Sequence, residues 1–193
     1  MSIITHGSNL KLAPTLRHLT PGAGEGDPRL GLKAVADAGF TSVQLDATMP
    51  ALRPRVLDRS ARRDLSATLR RSGLAASGLD FFIPAEHYRD MQHIERATEA
   101  AHAALELAAD LGRLPLSVNL PVTDADPQVI SDLLSAADGL GVVIAVHHEA
   151  APEDLVQWLA AHDEGLVGAG LDPAACSLRG MTRRKQHSAS ARD

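Results

Sequence analysis

The sequence predicts an α/β fold of about six parallel strands, each but the last followed by a helix on the outside of the sheet. Three features point to it. Short apolar runs rich in Val, Ile and Leu recur at intervals of roughly 25–40 residues, the size of one βα unit. Between them lie stretches whose apolar residues repeat at helical spacing. Aspartate opens and glycine closes most of those stretches.

In chain order, "LKLAPTLR" (10–17) reads as the first strand, although Pro14 removes one ladder donor. Asp27-Pro28 then caps and starts a helix that turns Leu32, Val35 and Ala36 inward and stops at Gly39. "TSVQLDAT" (41–48) is the second strand. Asp58 caps a helix with Ala61, Leu65, Thr68 and Leu69 on one face, ended by Gly73. "LAASGLDFFIP" (74–84) is the third strand. A long helix over 91–111 carries Ile94, Ala97, Ala101, Leu105 and Ala108 on one stripe, an alanine-rich face suited to close packing on a sheet. "LPLSVNLP" (114–121) follows as a strand, and Asp126-Pro127 opens a helix with Ile130, Leu133, Leu134 and Ala137 inward and Gly141 as its stop. "VVIAVHHEA" (142–150) is the fifth strand, Pro152 starts a helix with Leu155, Trp158 and Leu159, and "GLVGAGLDP" (165–173) is the sixth strand. Right-handed crossovers leave such a chain two architectures, an open doubly wound sheet or a (β/α) barrel. Residues 1–176 read as one domain, and 177–193 as a basic tail without an apolar stripe, expected to be disordered.

Composition narrows the function. With 193 residues there is room for one sizeable core, and aromatics make up only 3%, so that core is aliphatic. The net charge of −5 is uneven: Arg179, Arg183, Arg184, Lys185 and Arg192 against Asp193 give residues 178–193 a charge of +4, leaving −9 on the rest. An acidic body disfavours nucleic acid as a partner. A single cysteine, Cys176, excludes an internal disulfide and suits a cytoplasmic protein. Neither a membrane-length apolar run nor a signal-peptide pattern is expected. "GAGEGD" (22–27) is glycine-rich but follows "LRHLTP" rather than an apolar strand, so no dinucleotide fingerprint is read there.

Chemistry in either architecture gathers where parallel strands end. Those ends carry Arg17 and His18, then Asp46, Asp80, Asn119, His147, His148 and Glu149, and finally Asp172. Each has a structural reading as well: Asp46 as the cap of a turn, Asp172 before Pro173 as an Asx-turn, His148 as a histidine facing the helix layer. Alternation places His147 and Glu149 on one face of their strand and His148 on the other. An imidazole with carboxylates suits a divalent cation such as Zn²⁺, Mn²⁺, Co²⁺ or Mg²⁺; without a cation the pair suits a base and its orienter.

The stretches "AVADAGFTSVQLDA", "LRRSGLAASGLDFF", "HIERATEAAHAALELAADLG", "VVIAVHHEA" and "LVGAGLDPAAC" together resemble the xylose isomerase-like TIM-barrel superfamily over roughly residues 11–176. That superfamily includes sugar phosphate isomerases and epimerases. The resemblance implies an incomplete (β/α) TIM-type barrel, because six strands fall short of the eight that take about 250 residues. It implies a divalent-metal site with His147, Glu149 and Asp172 as ligands, Glu149 and His147 as catalytic groups, and Asp46, Asp80 and Asn119 holding substrate hydroxyls. "DPAAC" departs from the family pattern, in which a histidine closely follows the aspartate. The function so implied is metal-assisted isomerisation or epimerisation of a small sugar or hydroxy-carbonyl compound. The alternative is a non-catalytic metabolite-binding or interaction protein derived from the same family. An endonuclease IV-like activity is disfavoured by the few His and acidic ligands six strands supply. Open first and sixth strands imply cover by a helix, the tail or a second protomer.

Overall fold

A computed structural model describes residues 12–18, 27–147, 152–163 and 165–170. Five parallel strands form one sheet in sequential order: β1 (Ser42–Asp46), β2 (Ala75–Phe81), β3 (Leu116–Asn119), β4 (Ile144–His147) and β5 (Val167–Ala169). They alternate with α1 (Pro28–Asp37), α2 (Arg59–Arg71), α3 (Ile94–Asp110), α4 (Pro127–Leu140) and α5 (Pro152–Ala160). Strands added one after another through right-handed crossovers place every connecting helix on the same side of the sheet. The sequential order therefore selects the barrel over the doubly wound sheet, and the five strands among the described residues make up an incomplete one.

The expected first strand at 10–17 is corrected. Its described residues form no strand but one parallel bridge, Thr15 to Gln44, followed by a 3-10 turn at Leu16–His18. Proline explains the interruption: Pro14 has no N–H to donate, and only its carbonyl joins the sheet, accepting from the Gln44 N–H at 2.9 Å. Leu16 still packs inward with no exposed surface, so this segment lies against the edge of β1.

Helix starts follow the aspartates. Asp27 accepts from the Arg29 N–H at 2.9 Å, Asp58 from Ala61 at 2.8 Å and Asp126 from Gln128 at 2.8 Å. Each satisfies a backbone donor that the first helical turn leaves free. At the end of α4, Gly141 adopts a left-handed φ of 66°, a conformation glycine enters without steric cost.

Alternation divides the sheet into two faces. Val43, Leu45, Leu79, Phe81, Leu116, Val118, Ile144 and Val146 are all buried and form the apolar face toward the helices. The α3 stripe of Ala97, Ala101, Ala104, Leu105 and Ala108 completes that core. Small side chains on this helix let its backbone approach the sheet closely. The opposite face is the concave, polar side.

Candidate functional site

The concave face is built from rows set by strand register. One row runs Asp46, Asp80, Ser117, Ala145, Gly168 across all five strands. Asn119 and His147 are paired in the next row toward the strand ends. Carboxylates thus stand on β1 and β2, whereas Ala145 and Gly168 leave open floor on β4 and β5.

Gln44 ties the polar end together. Its Nε2 donates to Asp80 Oδ1 at 2.6 Å and to Ser117 Oγ at 3.2 Å. The amide crosses β2 directly over Gly78, where a Cβ would stand 3.4 Å from the Gln44 amide and 3.3 Å from the Pro115 carbonyl. Thr15 Oγ1 donates to the other Asp80 oxygen at 3.0 Å. Asp80 is therefore buried with both oxygens engaged. Burial pushes its carboxyl above the usual aspartate range; the bonds from Gln44 and Thr15 oppose that, neighbouring Asp46 adds to it, and His147 opposes it weakly.

Asp46 is also buried. Its Oδ1 accepts from the Thr48 N–H at 2.7 Å and the Thr48 hydroxyl at 2.6 Å, an Asx-type turn. Its Oδ2 lies 3.5 Å from Arg17 Nε and has no hydrogen-bond partner among the described residues. The turn-capping reading of Asp46 is realised, and Arg17 stands beside it.

His147 is half-buried at the end of β4. Phe82 packs edge-on against its ring, with centroids 4.9 Å apart and planes at 88°. The ring also lies against Gly170, so close that a Cβ there would collide with three of its atoms. His147 thus projects from the concave face between β2 and the end of β5, not into the helix layer. Among the expected site residues, the structure brings Asp46, Asp80, Asn119 and His147 onto this one face. His148, Glu149 and Asp172 lie outside the described residues, as do the side chain of His18 and the tail at 177–193.

Thr15, Gln44, Ser117, Phe82 and Gly170 were missed by the sequence reading. Gln44 and Ser117 had a signal, each standing two residues before a residue already singled out and so sharing its face. Thr15, Phe82 and Gly170 stand two residues from Arg17, Asp80 and Asp172 in the same way, but their partners across the sheet, Asp80 and His147, follow only from strand register and loop paths.

A donor set of one imidazole and two carboxylates, His147 with Glu149 and Asp172, is chemically suited to a divalent cation. Gly170 leaves the imidazole a clear seat at the strand end two residues before Asp172. Among the described residues no three His, Cys, Asp or Glu side chains converge in ligating range. No described helix is long and apolar enough to cross a membrane.

Fold and site together define an incomplete (β/α) barrel with polar residues at the carboxyl ends of its strands. The fold is that of the xylose isomerase-like TIM barrels. A xylose isomerase domain protein from Planctomyces limnophilus superposes with a TM-score of 0.67 at 17% identity, over 88% of this chain and 66% of its own. A xylose isomerase-like TIM-barrel protein from Mycobacterium smegmatis, in complex with magnesium, gives 0.64 at 17% identity, over 85% and 65%. D-psicose 3-epimerase with D-tagatose from Clostridium cellulolyticum H10 gives 0.62 at 13% identity, over 82% and 62%. The chain thus spans just under two thirds of the length of these structures. No family model and no curated protein matches the sequence.

The raised proton affinity of Asp80 sets a sign for pH dependence. Its proton is bound more tightly in the folded than in the unfolded chain. The folded state gains most from this group below the ordinary value of 3.8 and loses that gain as pH rises through the folded pKa. Asp80→Asn removes the titration. Urea midpoints between about pH 4 and about pH 8 are expected to fall less with rising pH in the variant. The readout is the slope rather than any constant offset. Parallel profiles in both proteins would show that burial does not shift this carboxyl.

Proposed function

We propose that this chain is a sugar isomerase or epimerase-like domain acting on a small sugar or hydroxy-carbonyl compound with divalent-metal assistance. The observation that carries the reading is the concave face, where Asp46, Asp80 and Ser117 share one register row and Asn119 and His147 the next. Asp46, Asp80 and Asn119 hold substrate hydroxyls over the open floor at Ala145 and Gly168. His147, Glu149 and Asp172 are the ligands of the cation. A bound divalent cation supplies positive charge opposite the negative charge that develops on the substrate oxygens. Where Glu149 is not a ligand it is the base that moves the substrate proton, and without a cation His147 and Glu149 form a base and its orienter. A cytoplasmic setting and closure of the open edges by a second copy of the chain belong to the same reading.

One observation favours the second reading, a non-catalytic metabolite-binding relative. Asp46 is engaged by Thr48 and Asp80 by Gln44 and Thr15, so these carboxylates already have internal partners.

Calorimetric titration with Mn²⁺ and Zn²⁺ tests the proposal on the wild type and on the His147→Ala/Glu149→Ala double variant. Weak, saturable binding is expected in the wild type and none in the variant, and identical traces would remove the cluster as a metal site. D-psicose and D-tagatose then separate the two readings. Epimerisation supports the enzyme, whereas a rise in melting temperature without turnover supports the binding protein.

A further inference from the structure

A second concavity lies on the other side of the strand ends, in the helix layer. It is an open groove of about 570 Å³ between the loop after β1, the 3-10 turn at Pro54–Val56 and helix α3. This volume is within the range of small-molecule sites. Its apolar lining comes from Ala47, Phe81, Ile83, Ala100 and Ala103, of which Ala47 and Phe81 are buried. Phe81 points there because it alternates with Asp80, so the pocket and the concave face use opposite sides of β2.

Three arginines line this pocket: Arg53, Arg55 and Arg96. Glu99 lines it too, leaving a formal excess of two positive charges. None of the three guanidinium groups forms an ion pair among the described residues, so no described carboxylate neutralises the charge they bring to this pocket. Arg53 is anchored by its Nε, which donates to the Thr48 carbonyl at 3.2 Å, and its terminal nitrogens make no described hydrogen bond. The chain as a whole carries −5, so the basic lining runs against its overall charge.

We propose that this pocket binds a small organic anion, one phosphate or carboxylate group on a compact apolar body. Guanidinium forks match the paired oxygens of both groups, and the arginines at the rim meet the anion while the alanine, Phe81 and Ile83 lining receives the apolar part. The site is independent of the reading given for the concave face, because it shares none of that reading's residues.

Amide chemical-shift titration of the full chain tests it with phenyl phosphate, benzoate and benzyl alcohol as probes. At least one of the two anions is expected to saturate shifts at Ile83, Ala100 and Ala103. The tighter of the two identifies the anionic group. Benzyl alcohol, with the same ring and no charge, is expected to bind at least about tenfold more weakly. Arg55 and Arg96 are exposed, so the Arg55→Gln/Arg96→Gln variant keeps the fold. Its affinity for the anion is expected to drop by about tenfold or more, with Arg29→Gln unchanged. The proposal is overturned if neither anion gives saturable shifts, if benzyl alcohol binds as well, or if the double variant and Arg29→Gln lose affinity equally.

Discussion

Gly170→Ala is expected to disable the site through one added methyl group, while Gly168→Ala two residues earlier is expected to be nearly silent. A Cβ at 170 would occupy the space of the His147 imidazole, overlapping Nε2, Cδ2 and Cε1. The ring also packs against Phe82, whose centroid is 4.9 Å away. It therefore has to leave its rotamer, or β5 has to move. Overpacking of this kind costs about 1–3 kcal/mol of stability. A displacement of about 1 Å at a reacting or ligating group lowers activity by about 10²-fold. At Gly168 a Cβ meets nothing within 4 Å, so alanine fits, and its stability is expected to stay within about 0.5 kcal/mol of wild type. Thermal melts and cation titrations on both variants check this. Equal behaviour of the two would mean that Gly170 does not set the position of His147.

That contrast marks where the sequence is legible and where it is not. The five described strands lie inside the stretches read from apolar runs, and Asp27, Asp58 and Asp126 cap helices as their positions implied. These are local properties, governed by side-chain period and by the free donors of a first helical turn. The N-terminal strand failed because Pro14 leaves a single bridge where a ladder was expected. Of the residues singled out at strand ends, Asp46, Asp80, Asn119 and His147 stand together on the concave face. Thr15 was not singled out, because its contact with Asp80 joins residues 65 positions apart. Nothing in the sequence sets Gly78 and Gly170 apart from other glycines in strand-like stretches. Their role is to leave space for Gln44 and His147, which only the register between strands reveals.

The largest loss of stability is expected from Gln44→Met, which keeps the length of the side chain and removes its amide. Gln44 Nε2 serves two acceptors at once, Asp80 Oδ1 at 2.6 Å and Ser117 Oγ at 3.2 Å. Both residues are buried, at 6% and 7% exposure, so water does not readily replace the lost donor. A buried carboxylate that loses one of its donors costs about 2–4 kcal/mol. The thioether fills the channel over Gly78, so loss of packing adds little. Because the Gln44 bond opposes the effect of burial on Asp80, its removal raises the proton affinity of that carboxyl further. Stability of Gln44→Met should therefore fall more steeply than wild type as pH rises above the ordinary aspartate value of 3.8. In the Asp80→Asn background the charge is gone, and the same substitution is expected to cost only about 1–2 kcal/mol. The difference between the two backgrounds is the coupling between amide and carboxylate, which urea unfolding of the four proteins measures directly. A coupling near zero would place the buried Asp80 charge in the care of Thr15 alone, with Gln44 a spectator across the sheet.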